Sequence, residues 1–234
     1  MVRRNVRHRR RGFTLVELLV GIVVMSMLAL LSWRSIDGMT RTQALTQERA
    51  DALLRMQAAL GQWHADLDAV MDTGELAAVD FDGRVLRLTR RDAGESGLNS
   101  AGLRVVAWSL IADGSGGRQW ARWQSDTVQR RDQLASAWQR ASEWGRESQG
   151  RQTGPGRDSS VLLFPASAWQ LFYHRGETWA NPQSSIGAAN GGAFTFGENT
   201  VPDGVRLVLT LPEGAGLSGD LRRDWVRPTL EAGR

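Results

Sequence analysis

The feature that most constrains this chain is the run Phe13 to Leu31, FTLVELLVGIVVMSMLALL, nineteen residues whose polar members are Thr14, Glu17 and Ser26. As a helix rising ~1.5 Å per residue it spans roughly 28 Å, close to the ~30 Å hydrocarbon thickness of a bilayer. Six arginines precede it in MVRRNVRHRRRG, residues 1–12, and only Arg34 and Arg41 fall in the first dozen residues after it. That asymmetry predicts a single-pass anchor with a cytoplasmic N-terminus and its body across the membrane.

Glu17 is what a plain anchor leaves unexplained. An acid at the centre of a membrane helix costs about 2.5–3.5 kcal/mol and is normally functional. A cleavable secretory signal has the same charge polarity. However, LALLSWRS, residues 28–35, offers no good small-x-small cleavage site, and the apolar run is long for such a signal. A basic RNA-binding arm accounts for the arginines but not for the apolar run behind them.

Basic leader, Gly12-Phe13-Thr14-Leu15-Val16-Glu17 and apolar helix occur in that order. The string resembles the processing site of type IV pilins and pseudopilins. The resemblance implies that a prepilin peptidase cuts between Gly12 and Phe13 and methylates the new N-terminal Phe13, leaving Glu17 as the fifth mature residue. Glu17 would then lie about 6 Å along the helix from the new terminus. It would sit near the interface, in the first turn, where the helix dipole favours negative charge. The freed amine of Phe13, its own or a neighbouring subunit's, is the natural counter-ion, and a paired carboxylate costs much less than a lone one. Glu17 is therefore expected to act in assembly.

All 29 basic residues are arginine, which excludes lysine Schiff-base or general-base chemistry, and the absence of cysteine excludes disulfides and thiolate sites. The formal charge of +4 belongs to the leader: without residues 1–12, 23 arginines face 25 acids, a net of −2. Charge gives nucleic-acid binding by the body little support.

The chain divides into a leader over residues 1–12, a transmembrane and assembly helix over 13–37, an amphipathic helix over 38–72, and a β-rich periplasmic domain over 73–234. A kink is expected at Asp37-Gly38. Beyond it, Leu53, Met56, Leu60, Trp63, Leu67 and Val70 are spaced 3, 4, 3, 4, 3, one apolar stripe that packs on the protein's own sheet. The stretch from Leu76 to Asp92 reads as a hairpin about Asp82-Gly83. GLRVVAWSLIAD and RQWARWQSD read as two strands joined through Asp113 to Gly117. Further strands are expected within residues 168–181, 204–212 and 220–228, with loops over 142–160 and 181–192.

The succession FDGRVLRLTR, GLRVVAWSLIADG, RQWARW, AWQLFYHRGETW, VPDGVRLVLTLP and LRRDWVRP, with SWRSIDGMTRTQ after the anchor, resembles the J-type minor pseudopilins of the type II secretion system. The resemblance implies an α+β, pilin-like fold, a long N-terminal helix packed on antiparallel sheets with an enlarged β region. It also implies a place in the inner membrane and at the tip of a periplasmic pseudopilus. The partners implied are prepilin peptidase and the I-type and K-type minor pseudopilins. Glu17 and the modest length argue against a K-type subunit. The alternative is a minor pilin of a type IV or DNA-uptake pilus.

Between Arg118 and Arg151 seven arginines face four acids among several tryptophans. Trp120, Trp123, Arg130, Trp138 and Trp144 form a candidate partner surface, or a stacking surface for single-stranded DNA. The competing reading is that the tryptophans fill a core while the arginines are solvated. No catalytic set, metal site or cofactor is expected. His64 and His174 lack ligand or triad spacing, DGSGG at 113–117 reads as a turn, and Asp80 to Gly83 is only a fragment of a calcium loop.

Overall fold

A computed structural model describes residues 13–92, 102–147, 159–175, 178–183, 201–213 and 217–228. The chain forms two compact units, residues 1–50 and 51–234. One helix, α1 (Leu15–Asp68), runs from the first into the second. By length and composition it can cross a membrane. Its side chains from Phe13 to Leu31 are exposed, as an apolar surface meant for lipid or for other helices would be.

The expected kink at Asp37-Gly38 is absent, and the helix is continuous through it. A helical glycine costs only about 1 kcal/mol. The site is also spanned by an Arg41–Asp37 ion pair of 3.2 Å and by the Thr42 hydroxyl donating to the Gly38 carbonyl. The helix ends at Asp68, not at residue 72, because the chain at once begins pairing with a strand: Arg91 N–H donates to Ala69 O, and Met71 N–H to Thr89 O.

The second unit holds two antiparallel sheets among the described residues. Strands β1 (Val79–Phe81), β2 (Val85–Arg91), β3 (Leu103–Ala112), β4 (Arg118–Gln124) and β5 (Ser160–Pro165) pair in sequence order. The second sheet comprises β6 (Ala168–Arg175), β7 (Thr178–Ala180), β8 (Gly204–Leu211) and β9 (Gly219–Val226), ordered β7-β6-β8-β9. The hairpin turns fall where expected. Asp82 Oδ1 accepts the N–H groups of Arg84 and Val85, and Asp113 Oδ1 accepts those of Ser115 and Gly117. Gly83, Gly114 and Gly116 supply the left-handed φ values these turns need.

Seven consecutive residues of β3, Val105 to Ile111, are buried, which requires cover on both faces of the first sheet. On one face Leu60, Trp63 and Leu67 of α1 pack with Leu86, Leu88, Val106, Trp108 and Trp120, and with the inner face of the second sheet through Leu171, Leu207 and Trp225. The apolar stripe read from spacing is this contact; Met56 and Val70 join it part-buried, and Leu53 is exposed.

The other face is covered by a second helix, α2 (Arg131–Glu147), through Leu134, Ala137, Trp138, Ala141 and Trp144. No helix was expected there, and residues 142–147, read as loop, are its last turns. Gln133 begins it by accepting the N–H groups of Gln129 and Arg130, the side-chain half of a capping box. Ser160, read as the end of that loop, opens β5 instead.

Gly145 decides how closely α2 can lie on the sheet. A Cβ added there falls 2.0 Å from Cγ2 of fully buried Val85. Glycine to alanine in an open helix gains about 1 kcal/mol. Here overpacking of about 1–3 kcal/mol acts in the opposite sense and wins. Gly145→Ala is expected to lower the urea midpoint followed by tryptophan fluorescence; an unchanged or higher midpoint would mean that α2 is not seated this way.

Candidate functional site

The start of α1 is built by local chemistry. Thr14 precedes the first helical residue, and its hydroxyl oxygen accepts the Glu17 N–H at 3.3 Å. Glu17 Oε2 in turn accepts from Thr14 N–H and from the Thr14 hydroxyl, both at 3.5 Å. This is the reciprocal Thr-x-x-Glu capping box, with Glu17 in the first turn at the positive end of the helix dipole. Glu17 thus has hydrogen-bond partners inside its own chain before any neighbour arrives, a role that the charge argument alone missed although the spacing encodes it. Phe13 stands beside it, exposed. Gly12 lies outside the described residues.

The candidate surface over residues 118–151 comes out differently. Trp120, Trp123, Trp138 and Trp144 are buried, at 0, 3, 8 and 7% exposure, so their rings are core and not a docking or stacking face. Trp120 lies 4.4 Å from Trp108, 5.4 Å from Trp63 and 5.5 Å from Phe164, ring centre to ring centre. Trp138 donates to the Thr89 hydroxyl at 2.9 Å, and the Arg87 guanidinium sits over its ring. The physical reason is the cover on both faces: Trp120 points toward α1, and Trp123 toward α2. Arg130 alone of the five is on the surface, 3.5 Å from Asp132.

The most concentrated polar constellation was not foreseen. Asp66 on α1 is fully buried and accepts five hydrogen bonds among the described residues: from Gln62, Arg90, Trp108 and, twice, Arg122. Arg122 approaches with Nε at 2.7 Å and Nη2 at 2.9 Å, the two-pronged carboxylate geometry of arginine. Nearby, Trp225 donates to Asp68 at 2.7 Å and Arg223 to His64 at 3.3 Å, fastening α1 to β9. Burial first, and the Arg223 charge second, hold the His64 imidazole below its ordinary pKa. These groups join helix to sheet. The calcium-loop fragment is likewise spoken for, with Asp80 paired to Arg87 and Asp82 closing its own turn.

On the second sheet Arg206 makes two bonds of 2.8 Å to Asp224 and lies 4.0 Å from the Trp179 ring. The Arg206 bond, opposed by burial and assisted by Arg222, holds the Asp224 carboxyl below its ordinary value of 3.8. A depressed folded pKa contributes stability that is present above the unfolded value and is lost as pH falls through the folded one. Asp224→Asn is therefore expected to flatten the acid limb of the stability profile below about pH 4. Unfolding midpoints measured across pH 2–6 that fall equally in both proteins would remove the assignment.

The N-terminal region matches a family model, the prokaryotic N-terminal methylation motif, over residues 7–33. No match to a curated protein was found for the chain. The motif, the apolar helix that begins within it and the antiparallel sheets that the helix's C-terminal part packs against support a type IV pilin-like protein and suggest a structural subunit rather than an enzyme.

Proposed function

We propose that this chain is a minor pseudopilin of the type II secretion system, of the J type, which helps to initiate or cap the periplasmic pseudopilus that exports folded proteins. The observation that carries the reading is the methylation motif at residues 7–33, within which a 54-residue helix begins at Leu15, the last turns of that helix lying on the sheets. The nine strands in two sheets among the described residues fit the enlarged β region that the J-like strand succession implies. In this reading the chain sits in the inner membrane with residues 1–12 cytoplasmic and the β-rich unit periplasmic. Its partners are prepilin peptidase, the I-type and K-type subunits, and other pseudopilins.

Affinity purification of the full chain from detergent-solubilised membranes of its own host tests this. Recovery of I-type and K-type pseudopilins is the expected result; recovery of major pilin and pilus assembly proteins instead would favour a minor pilin of a type IV or DNA-uptake pilus. Processing has its own test. Gly12→Leu puts a bulky residue at the cut, and the chain is expected to keep its arginine-rich leader, about 1.6 kDa from its sequence, on gels. Normal cleavage of that variant would move the processing site elsewhere.

A further inference from the structure

Beyond the assembly reading, and independent of it, a cleft in the β-rich unit has the chemistry of a binding site. It encloses about 200 Å³ and is lined by Gly83, Arg84, Ser109, Leu110, Arg118 and Trp169 among others. We propose that this cleft receives a carboxylate side chain from an acidic peptide segment of another protein, with Arg84 and Arg118 as its two cationic contacts.

The case begins with charge. Most arginines of this unit with a resolved ion pair spend it internally: Arg87 on Asp80, Arg90 and Arg122 on Asp66, Arg104 on Asp92, Arg206 on Asp224. Arg84 and Arg118 have no carboxylate partner among the described residues, yet the turn between β1 and β2 and the first residue of β4 bring them to line one cleft. Asp82, two residues before Arg84 in the sequence, is committed elsewhere. Its Oδ1 accepts the Arg84 and Val85 N–H groups, and its Oδ2 faces Arg146 at 4.0 Å.

The cleft is also preformed. The buried Ser109 hydroxyl donates to the Arg84 carbonyl at 3.0 Å, fixing the hairpin arm that carries Arg84. Ala166 N–H donates to the Arg118 carbonyl at 3.1 Å, fixing the other arm. Trp169 is held edge-on against Phe81 with ring centres 5.3 Å apart. Leu110 and Trp169 offer apolar walls for the methylenes of a glutamate, while the planar guanidinium fork matches its carboxylate. The volume is below the roughly 300–1,000 Å³ of small-molecule pockets, so the site suits one side chain and not a cofactor. A single exposed ion pair contributes little. Useful affinity therefore requires the carboxylate to arrive on a segment that makes further contacts.

The test is fluorescence anisotropy of a labelled Gly-Glu repeat peptide titrated with the full chain in uncharged detergent, with a Gly-Gln repeat as the control. Arg84→Ala and Arg118→Ala are each expected to weaken binding about tenfold, and the double variant to abolish the site's share of it. Arg140→Ala on the exposed face of α2 is expected to leave it unchanged. Both arginines are exposed, so unfolding midpoints should match the parent. Equal binding by parent and double variant would place the affinity outside the cleft and overturn the proposal. So would equal binding of the Gln peptide, or saturation by free glutamate at the peptide's own concentration.

Discussion

Asp66→Ala is expected to destabilise the β-rich unit by about 3–5 kcal/mol, a large part of the 5–15 kcal/mol that typically holds a domain folded. The magnitude comes from the groups left behind. Removing the carboxylate strands two guanidiniums, Arg90 and Arg122, with side chains only 17% and 12% exposed, and leaves the Trp108 indole N–H without its acceptor. Desolvated charge without a partner costs more than the original pair contributed. Replacing all three charged residues by apolar ones of similar volume is expected to be nearly neutral, because a buried ion pair competes poorly with good packing. Urea unfolding of the full chain in detergent separates the two outcomes. If the single substitution cost less than about 1 kcal/mol, Asp66 would not be the fastening between α1 and the first sheet.

The fastening shows where sequence reasoning reaches its limit. Asp66 meets Arg90 and Arg122, 24 and 56 residues downstream. Nothing in local spacing announces such partners, since pairing across a sheet depends on register. What local spacing does encode was legible. The members of the 3, 4, 3, 4, 3 stripe from Met56 to Leu67 name the packed face of α1, and Asp82-Gly83 and Asp113 to Gly117 name their turns by side-chain capping and positive φ.

Helix α2 was legible in principle and missed in practice. Leu134, Ala137, Trp138, Ala141 and Trp144 recur at helical intervals, but two of the five are alanines and the arginines among them mask the apolar stripe. Without α2, Trp123 of β4 lacks a lid, and an interleaved Trp/Arg stretch then reads as surface. Strand β5 was lost for a related reason. Its six residues come after a Gly/Ser/Gln-rich stretch, and only pairing with β4 makes them a strand. At the N-terminus the opposite holds: Thr14 and Glu17 are three residues apart, so the capping box is purely local.

That box sharpens what substitution of Glu17 will show. Glu17→Val removes both the cap and the charge, whereas Glu17→Gln keeps an acceptor for Thr14 N–H, as glutamine serves in capping boxes. Neither touches Gly12, so both variants are expected to lose the leader normally. If the carboxylate's task is to meet the freed amine of Phe13 on a neighbouring subunit, charge is the essential property. The Gln variant should then fail to enter filaments almost as completely as the Val variant, although its helix starts correctly. If the task is only to start the helix, the Gln variant should assemble and the Val variant should not. Loss of one capping interaction is worth about 1 kcal/mol. Removing one partner of a desolvated ion pair costs about 3–5 kcal/mol, so in the assembled filament the charge is the larger lever. Quantifying leader removal and filament incorporation side by side for the two variants decides between them, with filament-free Glu17→Gln as the expected result.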